Sequence, residues 1–490
     1  MKKTFHLSLT FLITFLSVQF ITSQEAIIKG THERQMEEFG NIDKIISKSE
    51  ASKESIISLQ ESQASTLNKM VFGFLPYWEQ SSGANTNMQY DRLSHLACFN
   101  FLVQLDASVA TPSGWPWTTE INAAHAAGTK VVMTVTNFGG ADDANAVAEE
   151  LITNVSKQAT FFANIKSIIQ AANLDGVNID FEAMVSTTRD TDLNTFMAAL
   201  TSYIHTELPG KEVSFDSPAV NWGGWDFDGL VNSVDYLIIM AYDYTSASSA
   251  NSGPVAPLIH PVSWGKSVTY TLENAGTGYS SPVANYPEKL ILAVPYYGQH
   301  WKTTSSTAEA TTTSHVSSTR FRDTEDQALT NGGWLWSTDF EYPWYTWHDG
   351  ASWNQVWTDN TQSIEDKFDL ALAKNLGGVG MWALNYDGTK TAFWDLIETK
   401  FGVTASVEDV FLNKNIRIYP NPASSVIKIS NSKSIDLNRI EILNVLGQEI
   451  MQINPENEFI DISYLSNGTY FLKIEDDRGN QGTFKILKSN

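Results

Sequence analysis

Eight short runs of β-branched and aromatic residues recur between residues 70 and 387, and the segments between several of them carry helical spacing. The runs are MVFGFLPYW (70–78), LSHLACFNFL (93–102), KVVMTVTNF (130–138), LDGVNIDFE (174–182), EVSFDSPAV (212–220), DYLIIMAYDY (235–244), KLILAVPYYG (289–298) and GGVGMWALNYD (377–387). Between them, residues 145–173 and 363–375 place apolar side chains at helix intervals. Strands alternating with helices require crossover connections and so a parallel sheet. Eight strands close such a sheet into a barrel. A doubly wound open sheet competes, but no glycine-rich phosphate loop follows the first run. The expected fold class is α/β, a (β/α)8 TIM barrel over residues 67–402.

The rest of the 490-residue chain falls into distinct pieces. Between the seventh and eighth runs lies too much chain for one helix. It opens Ser/Thr-rich and continues into GGWLWSTDFEYPWYTWHDGASWNQVW (332–357), so a small α+β insertion over about 302–358 is expected. From residue 413 to 490, β-branched runs alternate with Asn, Gly and Ser turns, the pattern of a small all-β sandwich. Residues 1–23 combine Lys2 and Lys3 with a short apolar run and small residues, which reads as an export signal. Residues 24–66 are polar and charged and read as a spacer with some helical tendency, outside any core.

Composition narrows the partners. The formal net charge is −23, which disfavours nucleic acid and anionic membranes. A neutral polysaccharide is compatible with it, and 15 Trp supply the flat surfaces that sugars stack on, although most aromatics pack in cores. The histidines show no metal-ligand spacing, and the single cysteine, Cys98, lies in an apolar strand, so neither a metal nor a cofactor is expected.

The fourth run carries the chemistry. In a strand, alternate side chains share a face. Asn178, Asp180 and Glu182 therefore line the barrel interior, while Val177, Ile179 and Phe181 face the helices. Glu182 reaches the C-terminal rim, where barrel enzymes keep their active sites. A folding role for this row is disfavoured, because buried unpaired carboxylates are costly. Two acids this close push one pKa upward and leave a protonated acid able to serve as proton donor.

DGVNIDFE resembles the D-x-x-D-x-D-x-E signature of family 18 glycoside hydrolases, matched by Asp175, Asn178, Asp180 and Glu182, with Asn178 in place of the middle Asp. IMAYDY (239–244) is similar to that family's strand-six motif through Met240, Tyr242 and Asp243; VPYYGQHW (294–301) and GGVGMWALNYD resemble strands seven and eight, with Trp382 as sugar floor. The helix preceding strand eight, with Asp359, Ser363 and Lys367, fits as well. The resemblance implies a retaining, substrate-assisted glycosidase. Glu182 would protonate the glycosidic oxygen, Asp180 would orient the substrate's 2-acetamido group, and Tyr242 would bond its carbonyl. Asn178, Asp243, Trp382, Trp78, Tyr297 and Met240 are expected to bind substrate, with Asn178 donating to Asp180. Trp222 is a further cleft candidate for which packing is the stronger reading. The implied substrate is chitin or another β-1,4-linked N-acetylglucosamine polymer; peptidoglycan and N-glycans are alternatives, and a chitinase-like lectin is the rival of another class. A monomer is expected.

IYPNPASS (418–425), NVLGQEI (444–450) and LSNGTYFLKI (465–474) resemble the C-terminal sorting domain of the type IX secretion system. That resemblance implies a partner in the type IX machinery and a secreted or cell-surface location.

Overall fold

The computed structural model describes residues 29–43, 55–60, 67–402, 412, 415–431, 435–444, 447–455, 457–478 and 481–489. The expected export signal, residues 1–23, lies outside the described residues. Each of the eight apolar runs contains a strand: β1 (Met70–Pro76), β2 (His95–Val103), β3 (Lys130–Thr136), β4 (Gly176–Asp180), β5 (Glu212–Pro218), β6 (Tyr236–Met240), β7 (Leu290–Pro295) and β8 (Gly378–Trp382). All pair in parallel with their neighbours, and β1 pairs with both β8 and β2, so the sheet closes.

Two apolar faces make the barrel. Val177 and Ile179 of β4 are buried on the side opposite Asn178 and Asp180, and helices such as Val155–Ala171 and Thr191–Glu207 bring Phe161, Ile165, Phe196 and Leu200 into the same core. Residues 145–173, which read as helical, divide into two helices where Asn154 leaves the helix and caps the second one, accepting from the backbone N–H of Ser156 and Lys157. Asp175 anchors the start of β4. Its carboxylate takes His125 at 2.9 Å, Lys211 at 3.0 Å and the Val131 N–H at 2.9 Å. It thus locks the N-terminal end of the strand, while Asp180 and Glu182 emerge at the other end.

The insertion is a five-stranded antiparallel sheet with one helix, Phe321–Thr330. Its first strand, Tyr297–Thr303, starts directly after β7. Trp344 stacks on Trp357 at 5.0 Å, and Trp301 and Trp357 are fully buried, so these tryptophans form lobe core. The tail folds as a three-stranded and a four-stranded sheet around Ile427, Ile440, Leu472, Ile474 and Ile486.

The spacer 24–66 has the helical tendency expected of it, in the helix Thr31–Asp43, but it departs from the reading as a segment outside any core. The helix enters the C-terminal mouth of the barrel, burying Thr31, His32 and Gln35. Its fully buried side chains are polar, and only Met36 and Phe39 pack, partly buried, against the hydrophobic core, so hydropathy gave little sign of the contact.

Before β8, a buried ion pair fastens the helix Thr361–Ala373. Lys367 is paired with Asp359, which also accepts from Ser363 Oγ at 2.6 Å and Tyr342 OH at 2.9 Å. Lys367→Ala leaves that carboxylate buried without its cation. We expect a loss of about 3–5 kcal/mol in the urea unfolding of the barrel, and a loss under 1 kcal/mol would show that the hydroxyls alone suffice.

Candidate active site

Four strand ends converge at the C-terminal mouth. From β4 come Asp180, 1% exposed, and just beyond it Glu182, whose side chain is 20% exposed. β5 adds Asp216, β6 leads into Tyr242 and Asp243, and β8 ends on Trp382. Strand alternation places Asn178 and Asp180 on one inward row and Ser214 and Asp216 on the next.

Asp216 is a member of the site that the sequence reading missed. Asn178 Nδ2 donates to its Oδ1 at 2.9 Å and to Ser214 Oγ at 3.1 Å. The expected bond from Asn178 to Asp180 is therefore corrected: the amide turns toward the neighbouring strand. The acid that Asn178 lacks in its own row is present one strand away. Burial, then the charge of Asp180, pushes the Asp216 carboxyl well above the usual carboxylate range. Burial, then the charge of Glu182, raises Asp180 to about 6, against the opposing pull of His32. The clue lay in EVSFDSPAV, where Asp216 stands two residues after Ser214 on the inward row, opposite the apolar Val213 and Phe215.

The other expected site residues separate into three groups. Met240, Tyr242 and Asp243 line the cavity with Glu182 and Asp216. Trp382, 1% exposed, lies behind His32, whose ring lines the cavity. Trp78 and Tyr297 are set back. Trp78 is fully buried, donates from Nε1 to Tyr386 OH at 3.1 Å and meets Trp382 edge-on at 6.1 Å, so it props Trp382. Tyr297 is also buried and donates to Asp243 Oδ1 at 2.7 Å, holding that carboxylate in place. Trp222, for which packing was the stronger reading, is 63% exposed on the cavity rim.

Into this mouth comes His32. Its Nδ1 lies 2.6 Å from Glu182 Oε1 and 3.4 Å from Asp180 Oδ2, its Nε2 is 3.1 Å from Tyr242 OH, and its ring lies over Trp382 with centroids 3.9 Å apart. No neutral donor reaches either oxygen of Asp180 among the described residues. Burial lowers the His32 pKa, but the charge of Glu182 and the contacts with both acids outweigh it and hold it at about 10. His32, Asp180 and Glu182 are also the one group, among the described residues, with the spacing of a metal triad. Ligands around a tetrahedral metal stand about 3.3 Å apart, from bonds near 2.0 Å. The 2.6 Å approach of His32 to Glu182 is instead that of a direct ion pair.

The family model for glycosyl hydrolases family 18 matches residues 49–387. The chain belongs to this family. A secretion system C-terminal sorting domain matches residues 417–489, which marks the protein for secretion or cell-surface attachment. Among related family 18 proteins, human (Homo sapiens) di-N-acetylchitobiase is 26% identical over 50% of this chain and 68% of its own length. Its mouse (Mus musculus) counterpart is 28% identical over 46% and 65%. Among solved structures, a family 18 chitinase from Cycas revoluta in complex with (GlcNAc)4 superposes with a TM-score of 0.60 at 17% identity, covering 68% of this chain and 99% of that one. The spore cortex-lytic enzyme SleL of Bacillus cereus gives 0.57 at 17% identity, over 69% and 75%. These superpositions agree with the closed barrel, and the protein is a chitinase-like glycosidase.

The pairing of His32 is open to direct measurement. A histidine whose pKa is raised on docking lends stability that is complete below its free value near 6.5 and is lost as pH rises through about 10. The groups facing the ring are Asp180, Glu182, Tyr242, Trp382 and Phe99. Asp216 and Asp243 stand nearby, and Arg34 of the same helix approaches Asp243 at 3.9 Å. Nitrogen NMR of His32 should show a charged ring throughout neutral pH, and Glu182→Gln should bring its titration back toward the ordinary range. Titration near 6.5 in the unaltered chain would exclude the ion pair.

Proposed function

We propose that the protein hydrolyses β-1,4-linked N-acetylglucosamine polymers, chitin first among them, with retention and with help from the substrate's own acetamido group. The observation that carries this reading is the placing of Asp180 and Glu182, two residues apart at the inner rim of β4, with Tyr242 across the mouth and Trp382 below.

Glu182 is the partly exposed acid and can reach a glycosidic oxygen, so it acts as proton donor and afterwards as base for water. Asp180 is too deeply set to reach the leaving oxygen. A carboxylate there can accept the acetamido N–H and offset the positive charge that forms as the amide oxygen closes on the anomeric carbon. Tyr242 OH donates to that oxygen and holds it within bonding range. Trp382 offers its face to the sugar ring. No enzyme nucleophile is needed, which accounts for a single acid at the rim and a second acid below it. Asp216 keeps Asn178 turned away from Asp180.

The test is turnover of a fluorogenic chito-oligosaccharide by chains carrying Glu182 or Gln at that position, each with native His32 and with His32→Ala. Glu182→Gln should reduce kcat about 10²–10⁴-fold, and Asp180→Asn about 10²–10³-fold. NMR of the first product formed should show the β-anomer. An α-anomer as first product, or binding without turnover in every form, would sink the reading, the second outcome in favour of a lectin. Parallel digestion of chitin, peptidoglycan and a glycoprotein identifies the polymer.

A further inference from the structure

The geometry points to the segment Gly30–Gly40 as an intramolecular inhibitor that sits in the sugar site and must leave before a glycan can enter. This rests on the site reading of the previous subsection.

The contacts fall on the residues to which that reading gives the chemistry. His32 engages Glu182, Asp180, Tyr242 and Trp382 together, as given above. One turn on, Gln35 Oε1 accepts from Trp382 Nε1 at 2.8 Å and from Tyr386 OH at 2.9 Å. The indole meant to floor a sugar is thus covered by an imidazole ring, and its N–H is already taken. Gly30 passes so close to the proposed acid that a Cβ there would come within 2.0 Å of Glu182 Oε2. Further along, Phe39 lies under the Arg320 guanidinium at 3.9 Å, and Glu38 accepts the backbone N–H of Ser318 at 3.1 Å, so the insertion also grips the helix.

The fit is chemical as well as steric. Substrate-assisted cleavage builds positive charge beside Asp180. An imidazolium between Asp180 and Glu182, packed over Trp382 with the two rings inclined at 39° and bonded to Tyr242, presents a planar cation in the same surroundings. What remains open is a cavity of about 200 Å³, smaller than the ~300–1,000 Å³ of an ordinary small-molecule site. The helix also precedes the part of the chain that matches the family, residues 49–387. It is an addition to the barrel and not one of its turns.

The experiment compares the full chain with its His32→Ala/Gln35→Ala variant, neither residue being part of the proposed catalytic machinery. Three readouts are taken: hydrogen exchange of residues 31–40, calorimetric binding of (GlcNAc)4, and kcat/KM on a fluorogenic chito-oligosaccharide. The expected result is a protected helix and weak binding in the native chain. In the variant, protection is lost, and binding and kcat/KM both rise at least tenfold. If the helix stays protected in that variant, Gly30→Val replaces it, since the added side chain strikes Glu182. Loss of protection with unchanged or weaker binding and turnover overturns the inhibitor. An unprotected helix in the native chain overturns it as well. A released helix with no binding and no turnover in any form overturns the N-acetylglucosamine reading, and the inhibitor with it, which separates the two failures.

Discussion

Two carboxyl groups held two residues apart at one inner edge of a barrel repel each other wherever water is scarce, and the rest of this mouth is arranged around that repulsion. Burial and the Glu182 charge raise Asp180 to about 6, and burial and the Asp180 charge push Asp216 well above the usual carboxylate range. The amide of Asn178 satisfies Asp216 without adding another charge, and Tyr297 fixes Asp243 in a left-handed backbone position, φ 61°, so that its carboxylate stays at the edge of the cavity. The cation of His32 is the remaining compensation, and it comes from outside the barrel.

Much of the barrel was legible, because period-two and helix-period patterns alternate strongly and each strand is buried on its outer face. Glu182 and Asp180 could be read because carboxylates on an apolar strand have few structural uses. Asp216 obeys the same rule but stands alone among Ser214, Ser217 and Pro218, so its strand read as simple structure. Trp78 and Trp222 exchanged places relative to their reading. An aromatic side chain supports either role, and only the backbone path decides which one turns inward.

The N-terminal helix was the least legible element, for a physical reason. Thr31, His32, Gln35 and Phe39 follow the i, i+1, i+4, i+8 spacing of one helix face. Three of these four are polar, since the surface they meet is a polar active-site mouth. Hydropathy reports burial against hydrocarbon and is blind to burial against carboxylates and indole N–H groups. A segment matched to a polar cleft therefore resembles a spacer, and its complementarity emerges only when both surfaces are known.

The same polarity makes the helix suited to leaving. A hydrophobic plug would cost its exposed apolar area on release, whereas His32, Gln35 and Glu38 recover hydrogen bonds from water. Docking gains little per contact in return, but the helix belongs to the same chain as the site, and a tethered ligand acts at an effective concentration of order mM. Modest affinity is then enough to fill the mouth. The first turn of the helix faces Asp180 and Glu182, so its positive end adds to the imidazolium charge. These attractions depend on the acids that the proposed reaction needs. A glycan that reached Trp382 and engaged Glu182 would compete for the same groups, and the binding of one would expel the other.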